Sequence, residues 1–222
     1  ELRAELPGPL CWLGECAVEP SCVEDWGFST PFNALVLGAR GGIGQAFVEA
    51  LLACPQVGQV VQTSRVAEWC QEDVSTREHR LPLDFAEPGS ISEFGERLND
   101  LGLPFHLVIN CTGILHGEGI RPERSWRQID QAAMQHSFQI HATGLALVLA
   151  QIMNHVPRDQ RAVVASLSAR IGSIGDNRLG GWFSYRASKA AQNMILKTAA
   201  IEAARRWPEL CIVALHPGTV HS

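Results

Sequence analysis

The sequence is poor in phenols and primary amines, since its 222 residues include one tyrosine, Tyr185, and two lysines, Lys189 and Lys197. Tyr185 stands four residues before Lys189. On a helix this spacing puts both side chains on one face, one turn apart. A nearby positive charge favours phenolate over phenol, so the pair predicts a tyrosine of lowered pKa that can exchange a proton. An ordinary pair of helix-surface residues is the alternative interpretation.

The chain also lacks a strong excess of charge. Its formal net charge is −5, so a basic surface for nucleic acid or an anionic membrane is not expected. No apolar run approaches the ~18 residues of a membrane span, and residues 1–5 have neither the basic region nor the apolar core of an export signal. We therefore expect a soluble, cytoplasmic protein with no nucleic-acid or membrane partner.

Paired cysteine spacing is absent as well. The seven cysteines are an odd number without the short paired gaps of a zinc site, and no histidine lies near Cys11, Cys16 or Cys22. Reduced thiols in the cytoplasm are expected, and no metal is predicted.

Residues 1–31 contain scattered prolines and aromatic residues without a helical or strand period, which predicts an N-terminal appendage. From residue 32 to 222 we predict one dinucleotide-binding domain. This domain begins with the short apolar run Ala34-Leu35-Val36-Leu37, and a glycine-rich turn and an amphipathic segment follow it.

The glycine-rich turn is Gly38-Ala39-Arg40-Gly41-Gly42-Ile43-Gly44. Gly38 allows a tight turn, Gly42 lets backbone N–H groups approach a pyrophosphate, and Gly44 lets the helix pack closely on the strand. A purely structural turn is the alternative, but the position between a buried strand and a helix favours a nucleotide site.

Strand and helix patterns alternate along the rest of the domain. An α/β fold with a doubly wound parallel sheet in three layers, α/β/α, is therefore predicted. Ligands in such sheets bind beyond the carboxyl ends of the strands. Candidate residues at these ends are Gly38, Ser64, Asp84, Asn110 and Ser168. The predicted strands are 34–37, 57–64, 80–83, 105–110, 161–167 and 210–216, and the predicted helices are 45–53, 67–71, 91–101, 126–155 and 184–207.

Four motifs in this order resemble the short-chain dehydrogenase/reductases, and the resemblance covers residues 33–222. They are Gly38 to Gly44, Asn110-Cys111-Thr112-Gly113, Tyr185 to Lys189, and Pro217-Gly218. The segments 110–116 and 172–185 further resemble a bacterial subgroup related to C-factor and to insect and vertebrate carbonyl reductases.

The resemblance implies hydride transfer between a nicotinamide cofactor and a small-molecule carbonyl or alcohol. It implies that Tyr185 acts as the general acid, while Lys189 lowers the pKa of Tyr185 and binds the nicotinamide ribose. Asp84 matches the position that meets the adenine ring, although a helix-preceding cap or a solvated loop aspartate is the alternative. Asn110 matches a residue that stabilises the sheet. The implied cofactor-binding residues are Gly38, Arg40, Gly42, Ile43, Gly44, Ser64, Arg65, Asp84, Asn110, Thr112, Gly113, Tyr185, Lys189, Pro217, Gly218 and Val220.

The end of the second strand lacks an acidic residue. In dinucleotide folds an acid there accepts hydrogen bonds from the ribose 2′-hydroxyl, whereas arginine accommodates a 2′-phosphate. Ser64 occupies this position, Arg65 follows it, and Arg40 lies in the glycine turn. Guanidinium groups suit phosphate, so NADP is predicted over NAD. A solvated Arg65 is the alternative.

Two positions depart from the family pattern. His141 stands where the family has an asparagine that holds a water beside the lysine, so His141 is either part of a proton relay or a buried histidine satisfied by the backbone. Ala169 stands where the family has its catalytic serine. Ser168 is the candidate for the carbonyl-polarising hydroxyl, with Ser173 as a substitute.

The sequence ends at Ser222, where the family continues into a substrate-covering segment and a strand that pairs subunits. Two functions are compatible with these features. The first is an NADP-dependent oxidoreductase, expected to be a homo-oligomer. The second is a dinucleotide-binding regulatory or signalling protein with little turnover, because a fold does not determine activity.

Overall fold

Six strands form one parallel sheet at the centre of the computed structural model, which describes residues 27–71, 74–117 and 121–218. The sheet order is β3-β2-β1-β4-β5-β6. Every residue of β4 is buried, and so are five of the six residues of β1. Such continuous apolar strands are typical of a parallel sheet covered on both faces. The strands are β1 (Phe32–Leu37), β2 (Val57–Ser64), β3 (Glu78–Pro82), β4 (Leu107–Asn110), β5 (Ala162–Leu167) and β6 (Leu210–Leu215).

Helices cover the two faces of the sheet. The α-helices are α1 (Gly42–Ala53), α2 (Pro88–Leu101), α3 (Gln131–Phe138), α4 (Leu145–Ile152) and α5 (Phe183–Ala203). Val48 and Leu51 of α1 belong to one apolar core, whereas Leu98 of α2, Leu149 of α4 and Leu196 of α5 belong to the other. The two cores and three layers confirm the predicted doubly wound α/β fold.

The predicted helix over 126–155 is helical without a gap from residue 131 to 155, but its type changes along its length. A 3₁₀ turn (Trp126–Gln128) precedes α3, a π-helical stretch (Gln139–Gly144) separates α3 from α4, and a 3₁₀ turn (Met153–His155) follows α4. A Cβ on Gly144 would lie only 2.5 Å from the carbonyl oxygen of Phe85, so the backbones touch at this point. Such π-helical stretches are frequent at functional sites.

Other boundaries also differ. The predicted helix over 67–71 is a short 3₁₀ turn, Glu68–Gln71, and α2 starts at Pro88, where a proline suits the first helical turn. Helix α5 ends at Ala203 rather than 207. Within the described ranges, none of the helices is both long and apolar enough to cross a membrane.

Most of the predicted appendage, with Cys11, Cys16 and Cys22, lies outside the described residues. Its described part includes Phe28, whose ring is buried with its centroid 4.8 Å from that of Phe32. Phe28 thereby extends the core on the α1 side of the sheet.

Candidate functional site

Tyr185 and Lys189 lie one turn apart in α5, as their spacing predicts. The Lys189 ammonium is 5.8 Å from the centroid of the Tyr185 ring. The His141 ring meets the Tyr185 ring nearly edge-on at 5.4 Å, and the Trp182 ring does so at 6.3 Å. A half-buried phenol is thus held between two rings beside an ammonium group.

Lys189 is buried, and its ammonium makes two hydrogen bonds inside the protein. It donates to the carbonyl oxygen of Leu167 at 3.0 Å and to Oε1 of Gln192 at 2.8 Å. Burial lowers the pKa of Lys189 to about 8 because the charged form loses water. At neutral pH the group therefore keeps most of its positive charge.

The pKa of Tyr185 departs from the expectation that Lys189 lowers it. Burial raises the pKa of Tyr185 above its usual value. The ammonium is directed at Leu167 and Gln192 rather than at the phenol, so desolvation of the phenolate outweighs its attraction to the charge. Tyr185 is accordingly a neutral phenol at neutral pH.

His141 lies in the π-helical stretch and is almost fully buried. Its Nε2 accepts the backbone N–H of Ile114 at 3.0 Å, and its Nδ1 lies 2.9 Å from Oγ of Ser188. Ser188 in turn donates to the carbonyl oxygen of Tyr185, so Nδ1–H is the donor in the imidazole–serine pair. Burial lowers the pKa of His141 to about 3. These contacts favour the buried, satisfied histidine over a proton relay.

Ser168 follows β5, and its hydroxyl donates to Oδ1 of Asn193 at 2.6 Å. A hydroxyl has one proton to donate, so Ser168 must leave Asn193 before it can donate to a carbonyl. Ala169 offers no hydroxyl, and Ser173 is exposed in the loop that follows. The role predicted for Ser168 stays a prediction, with Asn193 as a competing acceptor.

The glycine-rich turn joins β1 to α1. Gly38 has a φ of +74°, which favours glycine. A Cβ on Gly44 would lie 2.4 Å from the carbonyl oxygen of Gly38, whereas a Cβ on Gly42 would meet nothing within 4 Å. Helix α1 has no side-chain hydrogen bond at its N-cap. Its first N–H groups and the space over Gly42 and the half-buried Ile43 therefore suit an anionic pyrophosphate.

The turn after β4 approaches the lysine. Asn110 donates from Nδ2 to Oγ of Ser166 and accepts the N–H of Thr112 at Oδ1, so it ties β4 to β5 and to the turn. A Cβ on Gly113 would come within 3.4 Å of His141 Nε2 and 3.6 Å of Lys189 Nζ. Gly113 is exposed, so it leaves a path to the ammonium that a larger side chain would narrow.

The predicted phosphate-binding residues lie at the end of β2 and in the glycine turn. Ser64 is buried and accepts the N–H of Val66 at its Oγ, while Arg65 and Arg40 are exposed. Arg40 lines a cavity of about 500 Å³ together with Arg80, whose guanidinium stacks on the Trp69 ring at 4.2 Å. Arg80 is a further cation near this end that the sequence did not single out.

The remaining predicted residues lie around these groups. Asp84 accepts the N–H of Ala86 at Oδ1, so one carboxylate oxygen closes a local turn before α2. It does not cap that helix, whose N-cap is Glu87. Pro217 and Gly218 are exposed after β6. Val220 lies outside the described residues.

The sequence analysis did not single out two buried residues near the site, Gln192 and Glu123. Gln192 binds Lys189, and its position three residues later on the helix was an available signal. Glu123 is buried and accepts the backbone N–H and hydroxyl of Ser184 at the start of α5. A carboxylate suits a helix N-terminus, but 61 residues separate this pair and no local pattern links them.

The backbone around the start of α5 is unusual. Trp182, at the N-cap, has a φ of +53° and is the only non-glycine residue with a positive φ in the part of the chain that the structure describes. Its N–H donates to the carbonyl oxygen of Glu123. This pairing fixes the strained residue that precedes Tyr185 by one turn.

The described residues include no group of three or more His, Cys, Asp or Glu side chains placed to hold a metal. Three features fit a dinucleotide: the open glycine turn, the exposed Arg40 and Arg65, and the path at Gly113. They run from the end of β2 past β1 and β4 to Lys189, along the carboxyl edge of the sheet.

Comparisons with known proteins agree with this geometry. The family model described as short chain dehydrogenase matches residues 33–222. C-signal of Myxococcus xanthus is 34% identical over 94 residues, which are 42% of this chain and 55% of that protein. The chain thus matches little more than half the length of this curated relative.

Two solved structures share the fold. The candidate carbonyl reductase Sniffer of Caenorhabditis elegans superposes with a TM-score of 0.73 at 25% identity and covers 86% of both chains. The NADPH-bound carbonyl reductase from chicken fatty liver superposes with a TM-score of 0.70 at 24% identity, covering 89% of this chain and 82% of its own.

Proposed function

The chain belongs to the short-chain dehydrogenase family, and from this premise we propose that it is an NADP-dependent oxidoreductase that reduces a carbonyl group with Tyr185 as proton donor. The observation that carries the proposal is the neutral phenol of Tyr185 beside the Lys189 ammonium, at the carboxyl edge of the sheet. A protonated tyrosine is the form needed to donate to a carbonyl oxygen that gains negative charge.

Tyr185 performs the proton transfer in this mechanism. Since burial raises its pKa, the phenol is protonated at neutral pH, which is the state that reduction of a carbonyl requires. After donation, the phenolate lies near the Lys189 charge, which stabilises it in a region of low dielectric. Any stabilisation of the phenolate by Lys189 also lowers the pKa of Tyr185, but in the resting protein the effect of burial is larger.

The cofactor would be held by the glycine turn, Arg40, Arg65, Asp84, Thr112 and Lys189. A bound nicotinamide dinucleotide would supply the hydride for reduction. The absence of an acid at Ser64 and the exposed guanidinium groups of Arg40 and Arg65 favour a 2′-phosphate. These features support NADP as the preferred form.

The test is oxidation of NADPH against a panel of ketones, aldehydes and quinones, with Tyr185→Phe as the matched control. Phenylalanine retains the ring contacts with His141 and Trp182 but has no proton to donate. We expect turnover to fall by at least ~10², within the range of general acid catalysis. Equal turnover of both forms would refute Tyr185 as the donor.

A regulatory or signalling protein with little turnover is the second candidate. Three features of the site are compatible with low turnover. His141 is hydrogen-bonded to Ile114 and Ser188, and Ser168 is hydrogen-bonded to Asn193. Ala169 lacks a hydroxyl. The similarity to C-signal is compatible with this alternative. NADPH binding by calorimetry without turnover of any panel substrate would favour it.

A homo-oligomer is also part of the proposal. Met194 and Ile201 are 66% and 53% exposed and stand seven residues apart on α5, so they share a face of the helix. A second copy of the chain would bury this apolar face.

The four cysteines of the described ranges are free thiols, which suits the reducing cytoplasm that we propose as the compartment.

A further inference from the structure

A buried polar network lies behind Lys189, on the side away from Gly113. Gln192 is 1% exposed, and its amide uses its acceptor and both donors. Oε1 accepts from Lys189 Nζ at 2.8 Å, while Nε2 donates to Oγ of Ser166 at 2.9 Å and to the carbonyl oxygen of Leu167 at 3.0 Å. Asn110 donates to the same Ser166 hydroxyl.

The chemistry of these partners fixes the orientation of the amide. An ammonium only donates and a carbonyl oxygen only accepts, so Oε1 must face Lys189 and Nε2 must face Leu167. A flipped amide would put two donors together at Lys189 and two acceptors together at Leu167. The network therefore holds one arrangement, and a leucine or methionine at position 192 could not reproduce it.

We infer that Gln192 is a positioning residue, which holds the Lys189 ammonium on β5 and links it through Ser166 and Asn110 to the turn after β4, which is part of the proposed cofactor site. With two of its N–H groups directed at Leu167 and Gln192, Lys189 has one N–H left for the Gly113 side. The inference deepens the proposed function and depends on it for its catalytic meaning.

Among the described residues, Gln192 provides the side chain that accepts a hydrogen bond from the Lys189 ammonium. The titratable groups that face it in the described residues are the Tyr185 phenol of α5 and the His141 imidazole of the π-helical stretch. Strand β5 contributes the carbonyl of Leu167, the turn after β4 contributes Gly113, and Gly172 packs against the Lys189 backbone. Removal of the Gln192 acceptor should therefore lower the pKa of Lys189 below about 8.

The test compares Gln192→Met, which keeps the volume without an acceptor, with Gln192→Glu, which keeps the shape and adds a negative charge. The readout is the melting temperature of the protein without cofactor from pH 6 to 10.5. The unfolded lysine has a pKa of about 10.4, so between its folded and unfolded pKa values the unfolded lysine binds more protons and the contribution of Lys189 to stability rises with pH. We expect this rise to begin about one pH unit lower in Gln192→Met and higher in Gln192→Glu.

The same two substitutions in a Lys189→Met background are the control, because a residue that acts through Lys189 has no shift to cause there. Cys111 and Tyr185 titrate in all variants, so each is compared with its parent at the same pH. An unshifted rise, or an equal shift in the Lys189→Met background, would overturn the inference. If Gln192→Met fails to fold, Gln192→Glu decides.

Turnover is measured in parallel, and the alkaline limb of kcat should move in the same direction as the stability rise. Shifted stability profiles with no turnover in any variant would retain the Gln192–Lys189 coupling and reject the proposed function. Shifted turnover with unshifted stability would reject the coupling alone.

Discussion

His141 is a neutral imidazole in the core, and this state makes folding sensitive to acid. Its pKa of about 3 lies below the ordinary value of 6.5. The unfolded state therefore binds an extra proton as pH falls from 6.5 towards 3, and the stability present above pH 6.5 is lost across that window.

We expect His141→Asn to flatten this loss, because asparagine does not titrate there. The full slope for one proton is ~1.4 kcal/mol per pH unit. Urea unfolding at pH 7 and pH 5 measures it, with His116→Asn as the exposed control. Equal differences between the two pH values in wild type and His141→Asn would contradict the assignment.

Ser168 and Ala169, which follow β5, give a second test at the scale of single residues. Ser168→Ala removes the donor to Asn193, so stability should fall by ~1 kcal/mol. Ala169→Ser adds a hydroxyl at the position where the family has one, and we expect turnover to increase. A loss of ~10² in Ser168→Ala would instead assign the carbonyl-polarising role to Ser168.

We assign the preference for NADPH over NADH to the exposed arginines Arg65 and Arg40. NADPH should bind at least ~10-fold more tightly than NADH, a difference of about 1.4 kcal/mol. Arg65→Ala should remove most of this preference. Calorimetry with both cofactors measures it, and Arg80→Ala tests whether the stacked arginine of the cavity contributes instead. Equal affinities of the wild type would reject the 2′-phosphate site.

At the scale of the element, the start of α1 offers a matched pair of glycines. Gly44→Ala would put a Cβ 2.4 Å from the Gly38 carbonyl oxygen, so we expect it to destabilise the protein by ~1–3 kcal/mol. Gly42→Ala meets open space and gains helix propensity, so stability should rise by ~0.4–1 kcal/mol.

NADPH binding further distinguishes Gly42→Ala from Gly44→Ala. Although it stabilises the fold, Gly42→Ala should weaken NADPH binding, because its methyl group enters the space proposed for the pyrophosphate. Chemical denaturation and calorimetry on the same samples measure both effects. Unchanged affinity in Gly42→Ala would place the phosphates elsewhere.

For the whole molecule, the exposed apolar face of α5 predicts self-association. Met194→Glu and Ile201→Glu together put two charges on that face and should shift the protein towards monomer in sedimentation velocity. Leu179→Glu is the control, since Leu179 is 92% exposed in a loop outside the helices. A wild type that sediments as a monomer would refute the oligomer.

The sequence by itself determined the order of strands and helices, the glycine turn and the Tyr185–Lys189 pair. These features depend on local rules: apolar strands, glycines that fit a tight turn, and a spacing that puts two side chains on one face. Boundaries were less well predicted. The helix over 126–155 contains a π-helical stretch that lies against Phe85. Gln139 of this stretch donates to the Phe85 carbonyl across 54 residues of sequence, so no local pattern shows the contact.

Only the tertiary structure decided the state of the site residues. The pKa of Tyr185 rises because burial outweighs a lysine that is turned towards Leu167 and Gln192. The pKa of His141 falls because burial disfavours its charged form, and its partners Ile114 and Ser188 come from distant parts of the chain. Charge states depend on desolvation and on partners brought together from distant positions in the chain, and these exist only after the sheet and its helices have packed.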